Sequence, residues 1–298
     1  MQAIEKISIR DLSLEQLTEQ IVALGEPSFR AKQIYEWLWK KSAVQFSEML
    51  NLSKSLREQL ESHYAINAIV IDVQQKSMDG TIKCRFKLVD RHMVEGVLIP
   101  SENRMTACVS SQVGCNLGCT FCATGFIKMK RNLEPYEIYD QVVLLNKASL
   151  EHHKQPLTNI VFMGMGEPLL NYDNVLAGIA KITGEDGLHI SAKRITVSTA
   201  GLAKMIRKLA DDQVKFNLAL SLHAADDIKR SKLMPINEAN NLNDLVKALN
   251  YFHDKTGNRI TFEYILFDGI NESMEDAKNL VTLCSKVPAR VNIIEYNT

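Results

Sequence analysis

The chain has 298 residues, 46% of them hydrophobic and 23% charged, enough for a normal core in one large or two ordinary domains. Lys plus Arg and Asp plus Glu balance at 35 each, so global charge gives no support to a nucleic-acid partner and any such contact must use local patches. Met1-Gln-Ala-Ile-Glu-Lys6 lacks the apolar run of a secretory signal, and no segment reaches the ~18 apolar residues of a membrane span. A cytoplasmic protein with no membrane partner is expected.

Residues 1–65 read as a helical domain. Leu12, Leu14, Leu17, Ile21 and Leu24 form an apolar stripe before Gly25-Glu-Pro27, and Phe29–Lys41 puts Ile34, Trp37 and Leu38 at helical spacing. A further amphipathic stretch covers about 46–64. The pattern then changes. Ile69–Val73, Ile82–Leu88 and Met93–Ile99 alternate as strands, with a hairpin signal at Met78-Asp-Gly80. They suggest an antiparallel connector over 66–100.

From residue 101 to 298 the order becomes strand, loop, helix, repeated. Strands are expected at Met105–Ser110, Asn159–Met163, Arg194–Ser198, Phe216–Leu222, Ile260–Phe267 and Arg290–Tyr296. Most are rich in Val, Ile and Phe, as parallel strands buried on both faces should be. Helical segments fall at Pro135–Leu150, Asn174–Ile182, Leu202–Ala210, Leu242–Lys255 and Ser273–Val287. Six such units with right-handed crossovers give an α/β fold, a partial parallel barrel. Its active site belongs at the carboxyl ends of the strands.

Telling residues follow those ends. Cys115-Asn-Leu-Gly-Cys119-Thr-Phe-Cys122 is a CxxxCxxC loop directly after the first barrel strand. The other cysteines are Cys84, Cys108 and Cys284, and this distribution suits a reduced protein with a metal site, not a disulfide framework. Three thiolates on one loop can hold three irons of a [4Fe-4S] cluster and leave the fourth open, as S-adenosylmethionine requires to chelate it and be cleaved by one electron. Structural zinc is the competing reading, with Cys108 as fourth ligand.

Gly164-Met-Gly-Glu167-Pro168 follows the second strand. Glycine lets backbone approach a ligand, and Glu167 could accept an ammonium group; alone, such a run is an ordinary turn. Ser198, Ser221, His223 and Asn297 are ordinary strand-end polar residues individually and a ring around one ligand together. Glu95, within Met93–Val97, is either a paired or exposed carboxylate or a general base held in a low-dielectric wall. Arg30, Lys32, Lys40 and Lys41, and Lys128, Lys130 and Arg131 beside the cysteine loop, are solvated charge or phosphate contacts; the second group is the favoured substrate contact. His152-His153-Lys154 reads as a polar loop.

The chain resembles the radical S-adenosylmethionine superfamily, and within it the adenine carbon-2 methyltransferases of large-subunit ribosomal RNA and transfer RNA. The resemblance rests on Pro27–Ile34, Cys108–Cys115, Phe162–Asn171, Ser221–His223 and Ser231–Asn237. It covers the chain from about residue 25 onward. A sister family methylating carbon 8 of the ribosomal adenine is similar in these stretches; Glu167-Pro168 is closer to the carbon-2 group.

The resemblance implies radical chemistry at a ring carbon that is not a nucleophile, with the hard step supplied by the cofactors. A cysteine takes a methyl group from one S-adenosylmethionine. A second S-adenosylmethionine is cleaved to a radical that activates that methyl group for addition to adenine. Another cysteine then releases the RNA by forming a disulfide. Cys115, Cys119 and Cys122 would hold the cluster. Gly166, Glu167, Ser198, Ser221, Leu222, His223 and Asn297 would contact S-adenosylmethionine, two molecules per turnover. Glu95 would remove the ring proton and Cys108 would be the resolving thiol. The partners implied are 23S rRNA, tRNA and a one-electron donor such as flavodoxin or ferredoxin. In that family the methyl-carrying cysteine lies beyond the last barrel strand. Here the only cysteine after the cluster loop is Cys284, on an apolar helix face, so a C-terminally truncated form, unable to complete methylation, is expected. A zinc-stabilised RNA-binding protein without catalysis is the alternative from another class.

Overall fold

A computed structural model describes residues 6–296. Three helices open the chain, α1 (Leu14–Ala23), α2 (Phe29–Trp39) and α3 (Lys54–His63). The Ser13 hydroxyl and the Gln16 side chain cap each other's backbone at the start of α1, satisfying two otherwise orphan N–H groups. The amphipathic stretch expected over 46–64 is broken: a short 3-10 turn at Phe46–Glu48 precedes Ser53, which caps α3. In α2 the buried tryptophan is Trp39, while Trp37 sits under the Lys41 ammonium at 3.7 Å.

Nine strands form one sheet: β1 (Val70–Lys76), β2 (Ile82–Lys87), β3 (Met93–Ser101), β4 (Arg104–Cys108), β5 (Asn159–Phe162), β6 (Ile195–Thr199), β7 (Asn217–Ser221), β8 (Ile260–Leu266) and β9 (Ala289–Glu295). Their order across the sheet follows the chain without a jump. β1 to β4 pair antiparallel and β4 to β9 pair parallel. The antiparallel strands are therefore not a separate connector; β3 pairs directly with β4 and continues the barrel wall.

The connections after β4 carry α4 (Pro135–His153), α5 (Tyr172–Thr183), α6 (Ala203–Asp211), α7 (Asp227–Leu233) with α8 (Leu242–Thr256), and α9 (Met274–Cys284). Sequential parallel strands with crossovers of one hand put all the helices on one side, so the sheet curls with its other face inward. Ala107, Ile160, Phe162, Val197, Leu218, Leu220, Phe262 and Tyr264 are buried on the helix side. The alternate positions, Cys108, Val161, Ser198, Ser221 and Glu263, face the lumen.

The N-terminal helices and the barrel share one buried apolar cluster, from Ile9 to Val287. Arg10 fixes the junction. Its guanidinium meets the Asp140 carboxylate of α4 at 2.8 Å through both outer nitrogens and lies 4.7 Å from the Trp39 ring. Burial pushes the Asp140 carboxyl up while Arg10 opposes the shift.

Candidate active site

The cysteine loop leaves β4 and is closed at its base by a two-residue ladder in which Gln112 pairs with Asn132 and Val113 with Arg131. Gly114 (φ 81°) and Gly118 (φ 67°) turn the chain through left-handed conformations that favour glycine. A Cβ at Gly114 would stand 2.7 Å from the Ile127 and Lys128 carbonyls. Cys115 N–H donates to Ile127 O, and the Thr120 N–H in mid-loop donates to Leu233 O at the end of α7, 3.0 Å each. Phe121 is wedged by His223, at 4.8 Å between ring centroids, and Phe267, at 5.3 Å.

So held, Cys115, Cys119 and Cys122 line one cavity of about 280 Å3 at the carboxyl rim. Gly166, Glu167, Ser198, Ser221 and His223 line the same cavity. Eight of the residues singled out in the sequence thus converge. Burial pushes the Cys119 thiol up to about 12 and raises that of Cys115, and the neighbouring thiol Cys122 adds to both shifts. Among the described residues no three His, Cys, Asp or Glu side chains converge as a single-ion site. Three soft thiols around an opening, without a fourth cysteine, fit an open four-iron cluster, which would take the thiols as thiolates.

Glu167 is buried, with one carboxylate oxygen accepting from Leu169 N–H at 3.0 Å and the other from Ala200 N–H at 2.7 Å. Burial pushes its carboxyl up to about 7. Gly166 has φ 93°, and a Cβ there would fall 2.4 Å from the Gln112 side chain; Gln112 in turn accepts from Glu167 N–H at 2.9 Å. Ser198 and Ser221 Oγ are 3.4 Å apart. His223 is buried with φ 55°, and its Nδ1 accepts from Ile265 N–H at 3.1 Å, which leaves Nε2 protonated. Burial first, then the nearby Arg230 charge, lowers its pKa to about 3, so the ring is neutral.

Other expected residues lie elsewhere. The Leu222 side chain is fully buried and does not line the cavity. Asn297 lies outside the described residues. Cys108 and Glu95 share the lumen face but not the cavity lining. Cys108 is in register with Val161 and with Val97, and burial pushes its thiol up to about 11. Glu95 is not in a low-dielectric wall: its side chain is 44% exposed and ion-paired with Lys83 at 2.8 Å. Its carbonyl accepts from the Ser110 hydroxyl at 2.6 Å, and that hydroxyl accepts from Met165 N–H at 2.8 Å, tying β3 to the glycine turn.

Arg131 is committed to carboxylates, meeting both oxygens of Glu137 at 2.7 and 2.8 Å and Asp90 at 2.5 Å. Lys128 and Lys130 are exposed and stand beside Phe126, which is 83% exposed. All six cysteines are free thiols, so the expected disulfide is not present. Sequence reasoning missed Glu263, a buried lumen carboxylate that lines the cavity and accepts from Asn292 Nδ2 at 2.7 Å. The alternation of β8 could have shown it.

Comparisons with known proteins agree with this geometry. Residues 109–281 match the family model described as the radical SAM superfamily, and residues 7–66 match that of the ribosomal RNA large subunit methyltransferase N-terminal domain. A protein of Cytophaga hutchinsonii, named a probable dual-specificity RNA methyltransferase RlmN, is 61% identical over 99% of this chain and 80% of its own length. The chain belongs to the radical S-adenosylmethionine superfamily, in its RlmN-type RNA methyltransferase family. A relative of the same name from Flavobacterium johnsoniae is 52% identical over 99% of the chain and 84% of its own length. The crystal structure of a radical SAM methyltransferase from Sphaerobacter thermophilus superposes with a TM-score of 0.91 at 40% identity, over 98% of this chain and 86% of that one. Family membership makes this chain a transferase of the methyltransferase class and implies a [4Fe-4S] cluster and S-adenosylmethionine.

Proposed function

We propose that the chain methylates carbon 2 of adenine in large-subunit rRNA and in tRNA, using two S-adenosylmethionine molecules per turnover. What carries the reading is the convergence of three loop thiols with Gly166, Glu167, Ser198 and Ser221 on one rim cavity, in a family whose relatives are named dual-specificity RNA methyltransferases. Cys115, Cys119 and Cys122 would hold the cluster, which when bound supplies the electron that cleaves S-adenosylmethionine. Glu167 would take the amino group of S-adenosylmethionine, and Ser198, Ser221 and the backbone of Leu222 and His223 its remaining polar atoms. Glu95 would accept the ring proton once freed from Lys83. Cys108 would serve as the thiol that releases the product. Lys128 and Lys130 would meet RNA phosphates, with an adenine extruded toward the cluster. A small iron–sulfur or flavin protein would donate the electron, in the cytoplasm.

Within these 298 residues the methyl-carrying thiol has one candidate downstream of the cluster loop. Cys284 ends α9 and packs partly buried against the core, and it does not line the cavity. The anaerobically reconstituted polypeptide is expected to bind about four irons and, given a reductant, to release 5′-deoxyadenosine; the methylated position is read from its RNA products. Mass spectrometry of nucleosides from treated rRNA and tRNA tests this. 2-Methyladenosine would bear out the reading, and 8-methyladenosine would move the chain to the sister activity. Bound zinc without sulfide would overturn the reading.

A further inference from the structure

Arg230 is a buried charge beside the barrel wall that the proposed chemistry leaves unused. It projects from α7 and is 0% exposed. Nη1 donates to Asn237 Oδ1 at 2.7 Å, Nη2 to Ala200 O at 2.6 Å and Ser221 O at 3.0 Å, and Nε to Leu222 O at 3.2 Å. All four acceptors are neutral. Asp227 is one group removed, its Oδ1 taken by Asn237 Nδ2 at 2.9 Å. Among the described residues no carboxylate pairs with Arg230 within 4.0 Å. Burying a cation without a counter-ion is strongly unfavourable. If the need were only to cap carbonyls, a neutral donor would serve.

The surroundings indicate where the missing anion belongs. Ala200 and Ser221, whose carbonyls Arg230 holds, both line the cavity with the three cysteines. The same helix ends at Leu233, whose carbonyl holds Thr120 in the middle of the cluster loop. Arg230 thus underlies the strand ends and the cysteine loop together. A four-iron core bound by three thiolates carries net negative charge, which grows on reduction.

We propose that Arg230 is a positioning residue that supplies the resident counter-charge of the loaded site: it fixes the carbonyls at the ends of β6 and β7 and raises the reduction potential of the cluster above it. The proposal rests on the reading of the three-cysteine loop as a four-iron site. Removing a positive charge beside an anionic redox centre makes adding an electron harder. Neutralising Arg230 therefore moves the potential to more negative values.

The test uses the full chain, reconstituted anaerobically, with Arg230→Gln, Arg230→Lys and Asn237→Asp. Iron and sulfide content, redox titration followed by electron paramagnetic resonance, and S-adenosylmethionine affinity are measured. Arg230→Gln is expected to hold its iron, titrate at a more negative potential and bind S-adenosylmethionine roughly tenfold more weakly. Arg230→Lys keeps the charge and loses the fork, so its potential stays near that of the parent while its affinity falls. Asn237→Asp leaves the guanidinium in place and gives it a carboxylate, so its potential shifts in the same direction as that of Arg230→Gln. If Arg230→Gln cannot hold a cluster, Asn237→Asp decides. A parent-like potential in Asn237→Asp, or in a cluster-bearing Arg230→Gln, reduces Arg230 to a carbonyl staple and overturns the proposal. A parent chain that takes up no iron and sulfide overturns the site reading instead.

Discussion

At the residue scale, buried polar groups in this barrel act through the backbone as much as through a ligand. Glu167 stood in the sequence as an ammonium acceptor, yet both its oxygens already hold N–H groups, of Leu169 and Ala200. Glu167→Ala is therefore expected to lower thermal stability as well as abolish S-adenosylmethionine binding, since each orphaned N–H costs about 1–3 kcal/mol. Glu167→Gln, able to accept at one oxygen, should melt closer to the parent and still fail to bind; calorimetric melts with binding titrations separate the two effects. His223 gives the pH dependence. Its folded-state pKa of about 3 lies below the ordinary 6.5, so the unfolded chain binds the proton first. The stability that His223 contributes is complete above pH 6.5 and is lost as pH falls toward 3, by up to about 1.4 kcal/mol per pH unit. His223→Asn suits the left-handed backbone and should flatten the acid limb of a plot of stability against pH; an unchanged limb would place the loss in other groups.

At the element scale, strands were easier to read than the pieces between them. The six parallel strands declared themselves by apolar runs, and the cysteine loop by its spacing, because both depend on local residue type. Helix α7 did not. Its seven residues are too few for a 3.6-residue period to stand out, and its role depends on how it meets β6, β7 and the cysteine loop. Glu95 shows the same limit from the other side: the sequence left it either exposed or paired or in a low-dielectric wall, and the Lys83 partner needed the register of β2 against β3. Arg131 read as free charge, and only the fold brings Glu137 and Asp90 to it. The basic patch beside the loop thus reduces to Lys128 and Lys130. Replacing both with Gln should weaken RNA binding and lower the slope of log affinity against log salt by up to about 2, roughly one for each phosphate no longer neutralised. An unchanged slope would remove them from the interface.

At the scale of the whole molecule, the N-terminal helices and the barrel are held together by a shared core and by the buried Arg10–Asp140 pair. Removing one partner leaves a charge stranded, so Asp140→Ala should destabilise the chain by about 3–5 kcal/mol in denaturant titration. Replacing both, as Arg10→Met with Asp140→Leu, should recover most of that loss. If both variants lose the same amount, packing rather than charge makes the junction. The sheet also has its strands in strict chain order, and that governs birth as well as architecture. A ribosome delivers the three cysteines well before Ser221, His223 and Glu263, whose strands close around them. At about 5–20 residues per second, the thiols spend seconds on a half-built wall, open to oxidants and stray metals. The nascent chain therefore has a window of vulnerability, which closes when the last neighbouring strand docks.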